Sequence, residues 1–298
     1  MYECIYSQTE KIPEYDRYVK YAAGIKKQKQ QLRWLSEQEE TYWAVNKVLS
    51  KKGRNKKDLK IVEVGCGLGY LTYALVQGGY YTVGLDVSQN AIDNAISNYG
   101  NHYICADIFE FSKQHIGEFD VVILTEVIEH ISNPLDMLKT LVQLLKLNGH
   151  IVLTTPNKSF FCKEQIWFST IPPVHLYWYS EKTMRYMAKK LSVGLSFVNF
   201  SRYYKAHPFS IKRLSLYPKY PVLNSLGQII TQRRSPIGNV NVDNADAVKK
   251  WKIFVKKIIP HACYDIYIYI RKQIERRIEI ADCGKRGLVM AVVLKKRI

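Results

Sequence analysis

Residues 61–69 read IVEVGCGLG. An apolar run of strand character passes straight into glycines at alternate positions, Gly65, Gly67 and Gly69. Glycine costs backbone entropy on folding, so it is used where φ must be positive or where another group must lie against the main chain. Three of them between a strand and a helix mark a tight turn onto which a ligand can settle. That placement restricts the chain to folds in which a parallel strand turns into a helix at a ligand site.

The surrounding pattern agrees. Strand-like runs at LKIVEV (59–64), YTVGLDV (81–87), HYICAD (102–107), FDVVIL (119–124), HIVLTTP (150–156), LSFVNFSRYY (195–204) and GLVMAVVLKK (287–296) alternate with helical stretches. The helices are expected at YLTYALVQGG (70–79), at 89–99 behind Ser88 as N-cap, at 134–146 with Asn148-Gly149 as its stop, and at 181–191 behind Ser180. FDVVIL is apolar almost throughout, as strands covered on both faces are. The expectation is an α/β, doubly wound (Rossmann-like) sheet of seven strands. Residues 1–58 read as an N-terminal helical extension, 59–204 as the core, 205–285 as a basic insertion and 286–298 as the final core strand.

The insertion stands out by charge. Residues 200–298 hold 21 Lys+Arg against 6 Asp+Glu, whereas residues 1–199 hold 23 against 20. Five prolines break up 205–285, and a helix with Trp251 on its apolar face and lysines opposite is expected at 247–259. Such a surface suits something anionic: lipid headgroups, a phosphorylated acceptor or nucleic acid. Six scattered cysteines without a CxxC pair argue against a zinc cluster or a disulfide framework. The N-terminus lacks the apolar core of a signal peptide, so the expected location is cytoplasmic, with a peripheral seat at the membrane's inner face as the variant the insertion suggests.

Asp86 ends the second strand and Asp107 the third, both in register with the glycine turn. A carboxylate after the second strand accepts hydrogen bonds from ribose hydroxyls. Glu63 sits inside the first strand, where a carboxylate is costly unless something pairs with it. S-adenosylmethionine (SAM) brings an ammonium and a sulfonium to that place; a dinucleotide brings only phosphates. The spacing GxGxG also departs from the GxGxxG of dinucleotide sites.

In order and spacing, VEVGCGLGY, GLDVS, ADIFEF, FDVVILTEVIEHI and LLKLNGHIVLTTPN resemble the class I SAM-dependent methyltransferases. The likeness is to the ubiquinone-biosynthesis O-methyltransferase type and related bacterial small-molecule and sugar enzymes. It implies an antiparallel last strand. It also implies that Glu63, Gly65, Cys66, Gly67 and Gly69 form the turn around the methionine part of SAM. Asp86 would hold the ribose, Asp107 and Ile108 would flank the adenine, and Thr125 and Glu126 would border the sulfonium. His130 and His175 are the candidate catalytic bases for a hydroxyl acceptor. Glu126, Glu129 and His130 form an ExxEH cluster, to which His175 could add a ligand; whether a divalent metal sits there stays open.

The expected activity is methyl transfer to a hydroxyl of a small molecule or a glycan or lipid-linked acceptor. An RNA methyltransferase that uses the basic third, and a SAM-binding protein without catalysis, are the alternatives.

Overall fold

The structure is a computed structural model that describes residues 16–50, 55–160, 175–207 and 287–297. The expected helix at 247–259 and most of the basic insertion lie outside the described residues.

The N-terminal extension is three helices, α1 (Asp16–Ile25), α2 (Gln31–Gln38) and α3 (Glu40–Ser50). The core then alternates: β1 (Lys60–Val64), α4 (Tyr70–Gln77), β2 (Tyr81–Asp86), α5 (Gln89–Tyr99), β3 (Tyr103–Cys105), α6 (Ile108–Gln114), β4 (Phe119–Thr125), α7 (Pro134–Leu144) and β5 (Leu145–Pro156). It closes with α8 (Glu181–Lys190), β6 (Gly194–Phe197), α9 (Ser201–Ala206) and β7 (Val289–Lys295). The strands form one seven-stranded sheet in the order β3-β2-β1-β4-β5-β7-β6. Strands β1 to β5 pair in parallel, and β7 runs antiparallel to both β5 and β6. The expected doubly wound sheet with its antiparallel last strand is therefore present.

Strand periodicity builds two cores. Ile61, Val121, Ile123 and Val152 face one side, against α2 to α5. Their neighbours Val62, Val122, Leu124, Ile151 and Leu153 face the other, against α6, α7 and α8. With both faces covered, every residue of β4 up to Leu124 is buried. The predicted caps are in place: Ser88 Oγ accepts from Ala91 N at 3.2 Å, and Ser180 Oγ from Thr183 N at 3.2 Å.

Three elements differ from expectation. Asn148-Gly149 does not stop α7; that helix ends at Leu144 and β5 begins at once with Leu145. Residues 146–149 form a bulge in β5, because Leu145 pairs with Phe119 while His150 already pairs with Val121. Asn148 supplies the positive φ of 63° that the bulge needs. Second, 195–204 is not one strand. Strand β6 stops at Phe197, Asn199 Oδ1 accepts from Ser201 N at 2.9 Å, and α9 follows. Phe200, Tyr203 and Tyr204 have helical spacing, and Phe200 and Tyr203 pack against Trp43 of α3. Third, IFEFSKQ is the helix α6, capped by Asp107 through Phe109 N and Glu110 N at 2.7 and 3.3 Å.

Gly69 has φ 78°, and a Cβ there would stand 2.6 Å from Ala95 Cβ and 2.8 Å from Tyr103 Cε1. Gly69→Ala should therefore lower unfolding free energy by about 1–3 kcal/mol in urea titration; an unchanged midpoint would show that the α4–α5 contact has slack.

Candidate active site

Where the order of the sheet reverses, between β1 and β4, the carboxyl ends of the strands frame a cavity of about 350 Å³. It is built first by the turn after β1. Gly65, Gly67 and Gly69 all have positive φ, at 75°, 49° and 78°. The carbonyl of Leu85, at the end of β2, accepts from Gly65 N at 2.7 Å and Cys66 N at 3.0 Å. Asp86, 5% exposed, accepts from Gly67 N at 2.9 Å through one oxygen and from Ser88 N at 3.0 Å through the other. A β2 residue thus holds the β1 turn in shape.

This arrangement discriminates between ligands. The N–H groups of Gly65, Cys66, Gly67 and Gly69 are all bonded within the protein, the last to Cys66 O at 2.9 Å. A phosphate cradle needs such groups free. Asp86 lines the cavity, where a carboxylate can accept from hydroxyl donors.

Among the described residues, Glu63, Gly65, Cys66, Gly67, Asp86, Asp107, Ile108, Thr125, Glu126, His130 and His175 all line the cavity. Gly69 does not. It lies behind the turn, where its carbonyl accepts from Tyr103 Oη at 2.7 Å. The sequence reading missed the opposite wall, which comes from the N-terminal extension: Arg17 and Tyr18 of α1, Thr41 and Tyr42 of α3. Tyr21, Tyr42 and Tyr70 stand edge to face above the turn, with centroids 5.8 to 6.1 Å apart. The run of aromatics in this extension was the available signal.

Glu63 is 3% exposed, and Thr72 Oγ1 donates to it at 2.5 Å. Burial pushes its carboxyl up to about 8, although Thr72 pulls the other way. At the end of β4, Glu126 takes φ 53°, unusual without glycine, and accepts from Thr41 Oγ1 at 3.3 Å. Burial, with Glu129 nearby, raises its affinity for a proton.

The third part is a strap. Residues 176–179 cross the turn Ile128–His130: Leu176 N and Tyr177 N donate to Glu129 O at 2.8 and 3.2 Å, and Tyr179 Oη to Ile128 O at 3.2 Å. This delivers His175 edge-on to His130, with centroids 4.5 Å apart. Burial holds His175 down to about 3, so its ring is neutral. Glu129 accepts from Thr155 Oγ1 at 2.9 Å through one oxygen. Its Oε1, and Nδ1 of His175, are buried without a hydrogen-bond partner. One ligating atom each from Glu129, His130 and His175 lie within 4.8 Å of one another.

A family model described as a methyltransferase domain matches residues 34–192, just over half of the chain. The chain belongs to the class I methyltransferase family. Among curated relatives, the ubiquinone biosynthesis O-methyltransferase of Aromatoleum aromaticum is 31% identical over 106 residues, 34% of this chain and 45% of that protein. That of Coxiella burnetii is 32% identical over 109 residues, covering 35% and 46%. The chain thus spans less than half the length of these relatives. A solved SAM-dependent methyltransferase from Archaeoglobus fulgidus superposes with a TM-score of 0.48 at 14% identity, over 85% of this chain and 93% of that one.

Within this fold, Glu63 has a simple pH signature. Its folded-state affinity for protons exceeds that of an exposed carboxyl, so native protein binds more protons than unfolded chain between about pH 4.3 and pH 8. The stability it contributes is full below that window and is lost as pH rises through it. Glu63→Gln should flatten the fall by up to ~1.4 kcal/mol per pH unit, read from urea midpoints at pH 5.5, 6.5 and 7.5. Parallel profiles of variant and wild type would mean that Glu63 is ionised in the native state.

Proposed function

We propose that the protein binds SAM in this cavity and transfers its methyl group to a hydroxyl of a small-molecule or glycan acceptor. The observation that carries the reading is the turn itself. Its glycines supply the positive φ values, the N–H groups of Gly65, Cys66, Gly67 and Gly69 are bonded within the protein, and Asp86 and Glu63 line the cavity beside it. That combination suits an adenosine with a cationic tail and not a pyrophosphate. The cavity volume falls within the range of sites for small organic ligands, roughly 300–1,000 Å³.

When bound, SAM supplies an electrophilic methyl on a sulfonium. The chain's own residues would do the rest. Asp86 would accept from the ribose hydroxyls and Asp107 and Ile108 would frame the base. The carboxyls of Glu63 and Glu126 would face the positive groups of the ligand. The strap and the Ile128–His130 turn bring His130 and His175 into the cavity wall, where they would align an acceptor; such positioning contributes on the order of 7–11 kcal/mol. His130, half-buried at this wall, is the group placed to take the hydroxyl proton.

A specific observation favours a metal-assisted variant. Glu129 Oε1 and His175 Nδ1 are buried without partners, and neutral imidazole beside a carboxylate is a donor set for a divalent cation. Glu129, His130 and His175 would hold it, and it would lower the pKa of a bound hydroxyl.

The likeness to ubiquinone biosynthesis O-methyltransferases supports oxygen as the acceptor atom. The basic composition of 200–298 supports an anionic or membrane-borne acceptor. The basic insertion is followed by Gly287 and Leu288, whose carbonyls accept from Asn157 Nδ2 and N at 3.1 and 2.8 Å, next to Pro156 in the cavity wall. The chain that follows the insertion thus rejoins the core beside the cavity.

Calorimetric titration of SAM into wild type and Asp86→Ala tests the reading. Wild type should bind, and the variant should lose at least about tenfold in affinity, as expected when charge-assisted hydrogen bonds are removed. Absence of SAM binding by folded wild type would refute it. Titrating Mn²⁺ into wild type and His175→Ala tests the metal: one equivalent that His175→Ala abolishes is expected, and no uptake by wild type would leave His130 to act alone.

A further inference from the structure

The charges around the cavity pose a problem that the turn does not solve. Five carboxyl side chains line it, those of Glu63, Asp86, Asp107, Glu126 and Glu129. They suit the ammonium, sulfonium and hydroxyls of SAM. The methionine tail of SAM also ends in a carboxylate, which such a wall repels. The turn offers that group little, because the N–H groups of Gly65, Cys66, Gly67 and Gly69 already have partners.

Among the described residues that line the cavity, the one lysine or arginine is Arg17. It comes from α1, far from every motif that marks the site in the sequence. Its buried Nε stands 2.7 Å from Glu39 Oε1, an ion pair without hydrogen-bond alignment, and its Nη2 donates to Tyr18 Oη at 2.8 Å. Glu39 is in turn fixed by Tyr21 Oη at 2.9 Å. One edge of the guanidinium is thus held by α1 and the residue after α2, and its Nη1 has no hydrogen-bond partner among the described residues. Arginine suits such a place because its planar fork can hold a carboxylate by two parallel bonds.

We propose that Arg17 receives the α-carboxylate of the SAM methionine, so that α1 is the wall that completes the cofactor site. The inference rests on the SAM reading above and adds a residue that neither the family match, which begins at residue 34, nor the glycine motif includes.

The test uses the full chain and two probes, SAM and 5′-methylthioadenosine, which keeps the adenosine and thioether but has no amino-acid tail. Arg17→Gln should weaken SAM by tenfold or more and leave methylthioadenosine within about twofold of wild type. If both probes weaken equally, Arg17 only shapes the wall and the proposal fails. If neither weakens, the carboxylate is held elsewhere and the proposal also fails. Absence of SAM binding by wild type would instead refute the underlying reading. Should Arg17→Gln fail to fold, Arg17→Lys takes its place: keeping the charge and losing the fork, it should weaken SAM by a smaller factor and spare methylthioadenosine. Equal loss of both would again overturn the proposal.

Discussion

The site depends on a grip by the end of β2 on the turn after β1. Leu85 O takes the N–H groups of Gly65 and Cys66, and Asp86 takes those of Gly67 and Ser88. Each bond alone contributes only about 0.5–1.5 kcal/mol, somewhat more where a carboxylate accepts. Together they satisfy buried donors that would otherwise cost more, and they hold the positive-φ glycines Gly65 and Gly67 in one conformation. The α4 helix starts from that turn, and its Thr72 then reaches Glu63. Strand end, turn, helix start and buried carboxyl are therefore one unit. Disturbing Asp86 removes a cavity carboxylate and a structural anchor at once.

What was legible in the sequence was what is local. The strand, glycine turn and helix at 60–77 show in a single window, because strand periodicity and glycine placement are short-range. The caps at Ser88 and Ser180 follow from one side chain and the backbone three residues on. The cofactor half of the cavity is built almost entirely from such windows, at the ends of β1, β2, β3 and β4, so nearly all its predicted residues meet there.

The rest was hidden because its cause is tertiary. The β5 bulge exists because α7 runs directly into the strand, and the register against β4 absorbs the extra residues. The Asn148-Gly149 pair fits a helix stop and a bulge equally well. The break after Phe197 is enforced by packing of Phe200 and Tyr203 on Trp43, some 150 residues earlier in the chain. His175 comes to His130 through two main-chain bonds to Glu129 O, which no side-chain pattern announces. Arg17 is likewise placed by an ion pair with Glu39 that sequence spacing does not reveal.

This division has a functional consequence. The walls made by the sheet ends are fixed by strands. The walls made by α1 and by the 175–179 strap are held by a few side-chain and loop contacts. Several buried carboxyls crowded into one hollow favour protonation or a cationic guest, and Glu63 and Glu126 both hold their protons more tightly than exposed carboxyls do. A dicationic centre of ammonium and sulfonium relieves that crowding, so part of the binding energy is stored in the empty protein as unfavourable burial. The cofactor is then recognised by charge at one end and by adenosine geometry at the other. The acceptor is left to the segments that differ most from the sheet in origin, which is why the sequence speaks clearly about the first and says little about the second.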